Sequence, residues 1–303
     1  MKKYLMLLTS AIKAGIIMGA VLLMPFSAYA DEQSQGNLMK IQRQGSNNPI
    51  FECRYDSDGR PYSMGGNGSW EHVMSFDSNG RPIEGRWGEV TDTYLYNEAG
   101  LCTSKRTVFN KNGNLSAVND FDYDENGRIL QWRSSVNPVV GEHIDVVHDY
   151  VYDTSGNYVI YDTYPNSSDS PLSVEYDELG RFSVVSYNDI GDLKKRTISY
   201  DEQGRISKIT TELISSIPVG TVTGHSPQGE PFIQKAPLPI YTLFVYNSHG
   251  DVEKEIVEMA NEDGSTTVHS EKIYTYDYEH KKLEDNIARI LNFPDIHYIH
   301  SWI

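Results

Sequence analysis

The sequence of 303 residues has only two cysteines, and it lacks the short motifs that mark common catalytic and cofactor sites. It contains no Gly-x-Ser-x-Gly elbow, no His-Glu-x-x-His helix and no phosphate-binding glycine loop. Acidic residues are abundant throughout, so no pair of carboxylates stands out as a glycosidase site. The sequence therefore predicts a protein that is not an enzyme and that holds no cofactor.

Basic residues are also scarce, since 26 Lys and Arg stand against 42 Asp and Glu. Three of the lysines, Lys2, Lys3 and Lys13, lie in the first thirty residues, which hold no acidic residue. The rest of the chain carries 23 basic and 42 acidic residues, a net charge of −19. Such a surface repels nucleic acids and anionic lipid headgroups, and it is compatible with neutral glycans, cationic peptides and divalent cations.

Long apolar runs are absent beyond the first thirty residues. Residues 14–26 form an apolar stretch that is short for a membrane span, with lysines before it and the small residues of Ser27–Ala30 after it. This pattern is typical of a signal peptide over residues 1–30, cleaved near Ala30. We expect an exported protein, periplasmic or secreted, whose mature chain has no transmembrane segment.

One short phrase recurs ten times: an aromatic residue, Asp or Asn, two variable residues and glycine. Asp or Asn at the first position of a type I turn accepts backbone hydrogen bonds, and the glycine tolerates the positive φ that follows. Each copy therefore predicts a turn between two β-strands. The copies start at Tyr55, Phe76, Tyr96, Phe109, Tyr123, Tyr152, Tyr176, Tyr187, Tyr200 and Tyr246.

The residues around each copy alternate between apolar and polar, as expected for strands with one buried face. Cys53, Met74 and Tyr94, for example, stand two residues before a repeated aromatic, and polar residues often stand between. Spacings of 11 to 14 residues between copies leave room for one strand, and spacings of 20 to 24 leave room for two. Because side-chain parity breaks in the shorter steps, we expect β-bulges there.

The phrase resembles the YD repeat of the Rhs and teneurin families, an aromatic-Asp-x-x-Gly-Arg-Leu/Ile hairpin. The segments Tyr123–Ile129 and Tyr200–Ile206 match it fully, and the likeness covers residues 51–280. The resemblance implies an all-β fold in which antiparallel hairpins join into an extended, twisted open sheet. It also implies carbohydrate binding, because members of the family are often described as binding glycans.

The two cysteines, Cys53 and Cys102, both stand at positions that the repeat fills with a core residue. An exported protein can hold a disulfide, which would close a long loop and stabilise the fold by a few kcal/mol. Sequence does not tell whether the two strands are neighbours. A Cys53–Cys102 disulfide and two buried free thiols are therefore both open.

The rest of the chain departs from the repeat. Residues 31–50 are polar and predict a flexible lead-in, and the proline-rich residues 213–240 predict a long exposed loop. Residues 281–303 predict a short amphipathic helix that caps the sheet, followed by an apolar tail that docks on it. The helix rests on the spacing of Leu283, Ile287, Ile290 and Leu291 before Pro294.

The candidate ligand contacts are aromatic residues that lie outside the repeat. Trp70, Trp87 and Trp132 stand outside the repeated aromatic position, and aromatic faces stack well on sugar rings. His143 and His148 would point to opposite faces of a strand, so we predict no metal site. The leading hypothesis is a glycan-binding protein of the cell envelope or exterior. The alternatives are a protein-interaction module and an accessory component of an Rhs-type toxin system.

Overall fold

The computed structural model describes residues 36–66, 72–136, 144–163, 173–189, 192–214, 220–225, 230–233 and 235–279. These residues form twenty β-strands and no helix. The strands are β1 (Asn37–Arg43), β2 (Pro49–Tyr55), β3 (Pro61–Gly65), β4 (His72–Phe76), β5 (Pro82–Trp87), β6 (Val90–Tyr96), β7 (Cys102–Phe109), β8 (Leu115–Tyr123), β9 (Ile129–Val136), β10 (Ile144–Tyr152), β11 (Tyr158–Thr163), β12 (Ser173–Tyr176), β13 (Phe182–Asp189), β14 (Asp192–Tyr200), β15 (Ile206–Ile214), β16 (Val222–His225), β17 (Pro231–Ile233), β18 (Ile240–Tyr246), β19 (Val252–Ala260) and β20 (Thr266–Asp277).

Eighteen of these strands form one antiparallel sheet, and β16 and β17 form a separate pair. Within the described residues this sheet is open. Starting at β12, neighbouring strands pair in the order β12, β13, β14, β15, β18, β19 and β20. The series continues through β1 and β2 to β11. The first strand therefore lies between the last strand and the second. The expected all-β fold of antiparallel hairpins is confirmed.

Eight copies of the repeat form the turns of hairpins, and all eight lie along one edge of the sheet because successive strands run antiparallel. We call this the turn edge. The opposite edge, here the loop edge, carries other connections, for example the one between β5 and β6. The eight turns follow β2, β4, β6, β8, β10, β12, β14 and β18.

Two copies of the phrase are not equivalent to these eight. Phe109–Gly113 makes its turn at the loop edge, where Gly113 N–H donates to the Phe109 carbonyl at 2.8 Å. Tyr187 lies inside β13, buried and paired with Lys194. The prediction that each copy forms a turn between two strands is confirmed at Phe109, between β7 and β8, whereas the first three residues of the Tyr187 copy belong to β13. A phrase of five residues does not reveal which edge of the sheet it reaches. The predicted spacing of one strand for short steps is confirmed at Tyr96, Phe109 and Tyr123.

The turn at Asp77 shows the chemistry of the repeat. Its Oδ1 accepts the backbone N–H groups of Asn79 and Arg81 at 2.9 Å each, and its Oδ2 accepts the Arg81 guanidinium at 2.7 Å. Gly80 has φ of 78°, a conformation that side chains disfavour. The guanidinium also lies 4.9 Å from the ring centroid of Tyr96 in the next hairpin. The arginine therefore bonds its own turn and stacks on the following one.

Several hairpins are also joined to the preceding strand pair by the hydroxyl of the repeated tyrosine. The Tyr96 hydroxyl donates to the Pro82 carbonyl at 2.7 Å, and the Tyr123 hydroxyl donates to the Cys102 carbonyl at the same distance. A register shift stands beside the repeated aromatic in seven hairpins, for example between Leu95 and Tyr96. The bulges expected only in the short steps are thus a feature of the repeat itself.

The turn carboxylates predict how stability depends on pH. Hydrogen bonds from the Arg81 backbone N–H and guanidinium lower the pKa of Asp77. For Asp56, Asp124 and Asp177, burial opposes the shift, but the same kinds of hydrogen bond outweigh it and the pKa is lowered. A carboxylate with a lowered native pKa stabilises the fold fully above its unfolded pKa of about 4, and this contribution is lost as pH falls through the native value.

We therefore expect the urea midpoint to be constant between pH 7 and pH 5 and to fall steadily below about pH 4. Fluorescence-monitored urea titrations at each pH measure it. A midpoint that rises on acidification would contradict the assignment. The variant Arg81→Gln serves as a control, because it removes one of these stabilised pairs and should flatten the acid-side slope.

The predicted capping helix and docking tail at residues 281–303 lie outside the described residues, as does the predicted signal peptide at residues 1–30. Within the predicted flexible lead-in, residues 37–43 instead form β1, which pairs with β2 and β20. Among the residues that the structure describes, no helix is long and apolar enough to cross a membrane.

Candidate functional site

One face of the sheet carries the buried side chains, and we call it the core face. Next to the turn edge its side chains are uniformly apolar or aromatic: two residues before the repeated aromatic stand buried Cys53, Met74, Tyr94 and Phe121. The residues six after the aromatic, which pair with the aromatic itself, are buried too, as at Cys102 and Ile129. This row forms much of the hydrophobic core.

The next row on the same face is different, and we call it the variable row. It holds the residues four before and nine after each repeated aromatic, where the hairpins share no residue type. Four of the six buried charged residues that the structure describes lie in it. Its described side chains are Phe51, Met64, Gly85, Asp92, Lys105, Asn119, Trp132, His148, Val185, Arg196, Ile209, Thr242, Glu255 and Lys272.

Asp92 on β6 and Lys105 on β7 form a buried ion pair in this row. The Asp92 side chain is 0 % exposed and its Oδ2 lies 3.2 Å from the Lys105 Nζ. The Thr107 hydroxyl donates to the Asp92 Oδ1 at 2.5 Å. Because the two charges cancel, the cluster is neutral as a whole and suits an uncharged ligand better than an ion.

The Tyr94 hydroxyl lies between this ion pair and the hydrophobic core. The residue is 5 % exposed, and its hydroxyl has no hydrogen-bond partner among the residues that the structure describes. Burial raises the pKa of Tyr94, so the phenol keeps its proton at neutral pH. The Lys105 Nζ lies 6.0 Å from the centroid of its ring.

Trp132 on β9 is the half-buried aromatic residue of the cluster. Its indole N–H donates to the Asn119 Oδ1 at 2.9 Å, which fixes the orientation of the ring. The ring centroid lies 4.5 Å from that of His148 and 6.0 Å from that of Phe121. Trp132 therefore presents a fixed, partly exposed ring beside polar side chains.

Of the three tryptophans predicted as ligand contacts, the structure places two on the core face. Trp132 lies in the variable row. Trp87 lies on β5, two residues after Gly85, which is the buried residue of that row on the same strand. Trp87 is half-buried and pairs with Val90 of β6. Trp70 lies outside the described residues.

Sequence reasoning missed Asp92, Tyr94, Lys105 and Asn119. The available signal was their fixed distance from the repeated aromatic, combined with a charged or amide side chain where the alternation predicts a buried one. Asp92 and Asn119 each stand four residues before a tyrosine of the repeat. Exposed charged and amide residues elsewhere in the described chain do not stand at these fixed distances from a repeated aromatic.

A second charged group lies in the same row on other strands. Glu255 of β19 is 0 % exposed; its Oε1 lies 2.8 Å from the Lys272 Nζ, and its Oε2 accepts the Tyr274 hydroxyl at 2.7 Å. Lys272 and Tyr274 thus each bond to Glu255, one to each of its carboxylate oxygens. We assign it a structural role in joining β19 to β20.

Cys53 and Cys102 are both buried free thiols, and the disulfide between them is not formed. β2 and β7 are not paired strands. Burial raises the pKa of Cys53 to about 12 and that of Cys102 to about 11, so both thiols stay protonated at neutral pH. They act as small core residues of the apolar row.

Within the described residues no group of three His, Cys, Asp or Glu side chains could hold a metal ion. Of the two histidines weighed as ligands, His148 stacks on Trp132 and His143 lies outside the described residues.

No protein-family model matches this sequence, and no curated protein does. Solved structures with a similar arrangement of strands include a TcdB2–TccC3–TEV crystal structure, at 13% identity and a TM-score of 0.32, covering 78% of this chain and 15% of that one. They also include porin-like proteins from Bacteroides vulgatus ATCC 8482, at 10% identity, a TM-score of 0.33 and coverage of 80% and 100%, and from Bacteroides uniformis ATCC 8492, at 13%, 0.32, 80% and 99%.

The chain spans about one sixth of the TcdB2–TccC3 chain that it resembles. Likenesses of this size concern the arrangement of strands, and they say nothing about a ligand or an activity.

Proposed function

We propose that this chain is an exported, non-enzymatic protein of the YD-repeat class that binds a neutral glycan at the variable row of β6–β10. The observation that carries the proposal is Trp132, a half-buried ring held by Asn119 and stacked against His148. What supports export is the signal-like pattern of residues 1–30, and what supports membership of the repeat class is the eightfold turn with its arginine and tyrosine contacts.

The chemistry of the cluster fits a sugar better than the other candidate ligands. The C–H face of a pyranose stacks on an indole ring, while its hydroxyl groups need donors and acceptors at the rim of that ring. The polar side chains nearest this ring are Asn119, which accepts the indole N–H, and His148, which packs against it. The ion pair of Asp92 and Lys105 is neutral as a whole, and the chain carries a net charge of −16. Anionic ligands are therefore disfavoured.

The test is binding of the mature protein to a panel of neutral saccharides, followed by calorimetry with Trp132→Ala. We expect the affinity of the variant to fall by about 30-fold, equivalent to about 2 kcal/mol, because a stacking residue at the centre of a site dominates its energy. The matched control is Leu130→Ala, which lies on the same strand, 49 % exposed on the opposite face. The control should bind as the wild type does.

Two results would contradict the proposal. One is equal affinity of Trp132→Ala and wild type for every saccharide that binds. The other is the absence of any saccharide binding together with a specific protein partner, which is what an accessory component of an Rhs-type toxin system or an interaction module would show.

A further inference from the structure

Strand β18 is apolar on both of its faces, since six of its seven residues are apolar or aromatic. Thr242 and Phe244 lie buried on the core face. Tyr241, Leu243 and Val245 alternate with them and therefore lie on the opposite face, here called the outer face. A near-continuous apolar run is typical of a strand that is covered on both faces. We therefore expect a second layer over the outer face of β18.

The neighbouring strands extend this apolar surface. Ile256 of β19 pairs with Leu243. Lys254 of β19 pairs with both Val245 and Ile273, so these two side chains stand on either side of it. Val245 is 43 % exposed and Ile273 is 39 % exposed. The outer patch, as we call this surface, consists of Tyr241, Leu243, Val245, Ile256 and Ile273.

Another hairpin shows the outer face without such a patch. Leu95 stands one residue before its repeated tyrosine, as Val245 does, and it is 46 % exposed. It pairs with Ser104, and the next outer residue of its strand is Thr93. Single exposed apolar residues are ordinary, whereas contiguous ones mark a contact surface.

The chain reverses direction at the turn edge, where β20 ends. The Asp277 Oδ1 accepts the Glu279 N–H at 2.8 Å, as Asp77 of the repeat accepts the N–H two residues further on. In the repeat hairpins the next strand then pairs beside the one that it follows. Here β19 and β1 already occupy both sides of β20, and buried Tyr274 fills its core face. The outer face is therefore the side of β20 that is left for the returning chain.

Tyr278 shows which strands the returning chain approaches. Its hydroxyl donates to the Asp251 Oδ2 at 2.9 Å and accepts the Asn247 Nδ2 at 2.7 Å. Its ring stacks on that of His249, with the centroids 4.1 Å apart. These three partners belong to the turn between β18 and β19. The chain therefore leaves β20 beside the end of β18 at which Val245 lies.

The residues that follow carry an apolar stripe of matching size. From Leu283 to Leu291 a helical stripe is about 12 Å long, at about 1.5 Å per residue. The outer patch is about 14 Å long from Tyr241 to Val245, and its two strand spacings make it about 10 Å wide, close to the diameter of a helix. The stripe consists of Leu283, Ile287, Ile290 and Leu291.

We propose that the outer patch is the docking site of residues 281–293 of the same chain, which lie on it as an amphipathic helix antiparallel to β20. The direction follows from the reversal at Asp277. A helix of this length is marginal in water by itself, so it forms where its stripe is buried. The patch and the stripe each supply the apolar surface that the other lacks.

Hydrogen exchange by mass spectrometry on the mature protein tests this docking. In wild type the amides of residues 285–293 should exchange more slowly than in a synthetic peptide of residues 281–293. Val245→Glu should lower this protection by about 10-fold or more, because the burial of an apolar side chain is replaced by that of a charge. Leu95→Glu is the matched control and should leave the protection unchanged.

Ile287→Glu places the same charge on the other side of the contact. It should cause the same loss as Val245→Glu and does not alter the sheet, so a folding defect of the patch variant does not remove the test. Wild-type amides that exchange as fast as the peptide overturn the proposal without any variant. Protection that survives Val245→Glu overturns it as well, since the segment then packs elsewhere.

A second copy of the chain is the other possible occupant of the patch. It would give a concentration-dependent dimer in sedimentation that Val245→Glu dissociates, together with unprotected amides at residues 285–293. That pair of results also overturns the proposal.

Discussion

Replacing Asp92 with alanine is expected to lower the free energy of unfolding by about 3–5 kcal/mol. Asp92 is fully buried, and its removal leaves the Lys105 ammonium, itself only 11 % exposed, without its counter-charge. The Thr107 hydroxyl loses its acceptor at the same time. Breaking one member of a buried pair costs more than the pair contributes, because the desolvation of the remaining charge is no longer offset.

The double variant Asp92→Leu with Lys105→Met tests this reason. It removes both charges and keeps apolar volume, so it should recover most of the lost stability. The control is Asp122→Ala, which breaks an exposed ion pair with Arg133 at 2.9 Å and should cost less than about 1 kcal/mol. Urea titrations followed by tyrosine and tryptophan fluorescence measure all of these variants. A loss of less than about 1 kcal/mol for Asp92→Ala would contradict the assignment of a buried pair.

The turns of this fold could be predicted from the sequence because their interactions are local. Asp77 bonds Asn79 and Arg81, residues within four positions of it, and Gly80 supplies the φ that the turn requires. A five-residue phrase therefore contains nearly all the chemistry of its own turn. The phrase does not reveal the two exceptions, since Phe109 ends β7 at the loop edge and Tyr187 lies inside β13.

The candidate site could be predicted only in part, because its members are joined across strands. Trp132 stood out by its residue type, but its partners depend on which residue of β8 and β10 lies opposite it. That register is set by a bulge beside each repeated aromatic, which shifts the side-chain parity of the second strand. Asp92 and Lys105 are thirteen residues apart in sequence, and only this shift brings them to the same face.

The departures from the repeat mark where hairpins distant in sequence are joined. In five turns the residue after the glycine is an arginine that holds the turn aspartate. At Asp251 the arginine is absent, and its carboxylate accepts the backbone N–H of Gly36 at 3.1 Å and the Tyr278 hydroxyl at 2.9 Å. A side chain at Gly36 would lie 2.7 Å from Tyr276 Cβ, so the chain entering β1 must be glycine there.

The other such joint connects the β10–β11 hairpin to the β12–β13 hairpin. Asn157 replaces the arginine, and the Asp153 Oδ2 accepts both the Asn157 Nδ2 at 2.8 Å and the backbone N–H of Phe182 at 3.1 Å. Thr154 N–H donates to the Gly180 carbonyl at 3.1 Å, and its side chain occupies the space that a Cβ at Gly180 would need. Loss of the arginine thus frees a carboxylate oxygen to bond another hairpin.

Asp153→Ala is therefore expected to destabilise the protein by about 3 kcal/mol, because hydrogen bonds to a charged acceptor are strong and the N–H of Phe182 is left buried without a partner. The variant Asp153→Asn distinguishes the bond between the two hairpins from the hydrogen bonds within the turn. Asn97 shows that asparagine builds the turn, since its Oδ1 accepts the Leu101 N–H at 2.9 Å. The asparagine variant should keep the turn and lose the bond to Phe182, at a cost of about 1–2 kcal/mol.

Hydrogen exchange by mass spectrometry measures where the stability is lost. In both Asp153 variants the amides of β11 and β13 should exchange faster than those of β6 and β7, because opening begins where the two hairpins separate. The matched control is Asp124→Ala in a turn that keeps its arginine, where Arg128 and the turn N–H groups can turn to solvent and where exchange should rise only within the β8–β9 hairpin. Equal protection of β13 in the Asp153 variants and in wild type would show that this carboxylate does not join the two hairpins, and the missing arginine would then be an ordinary variation of the turn.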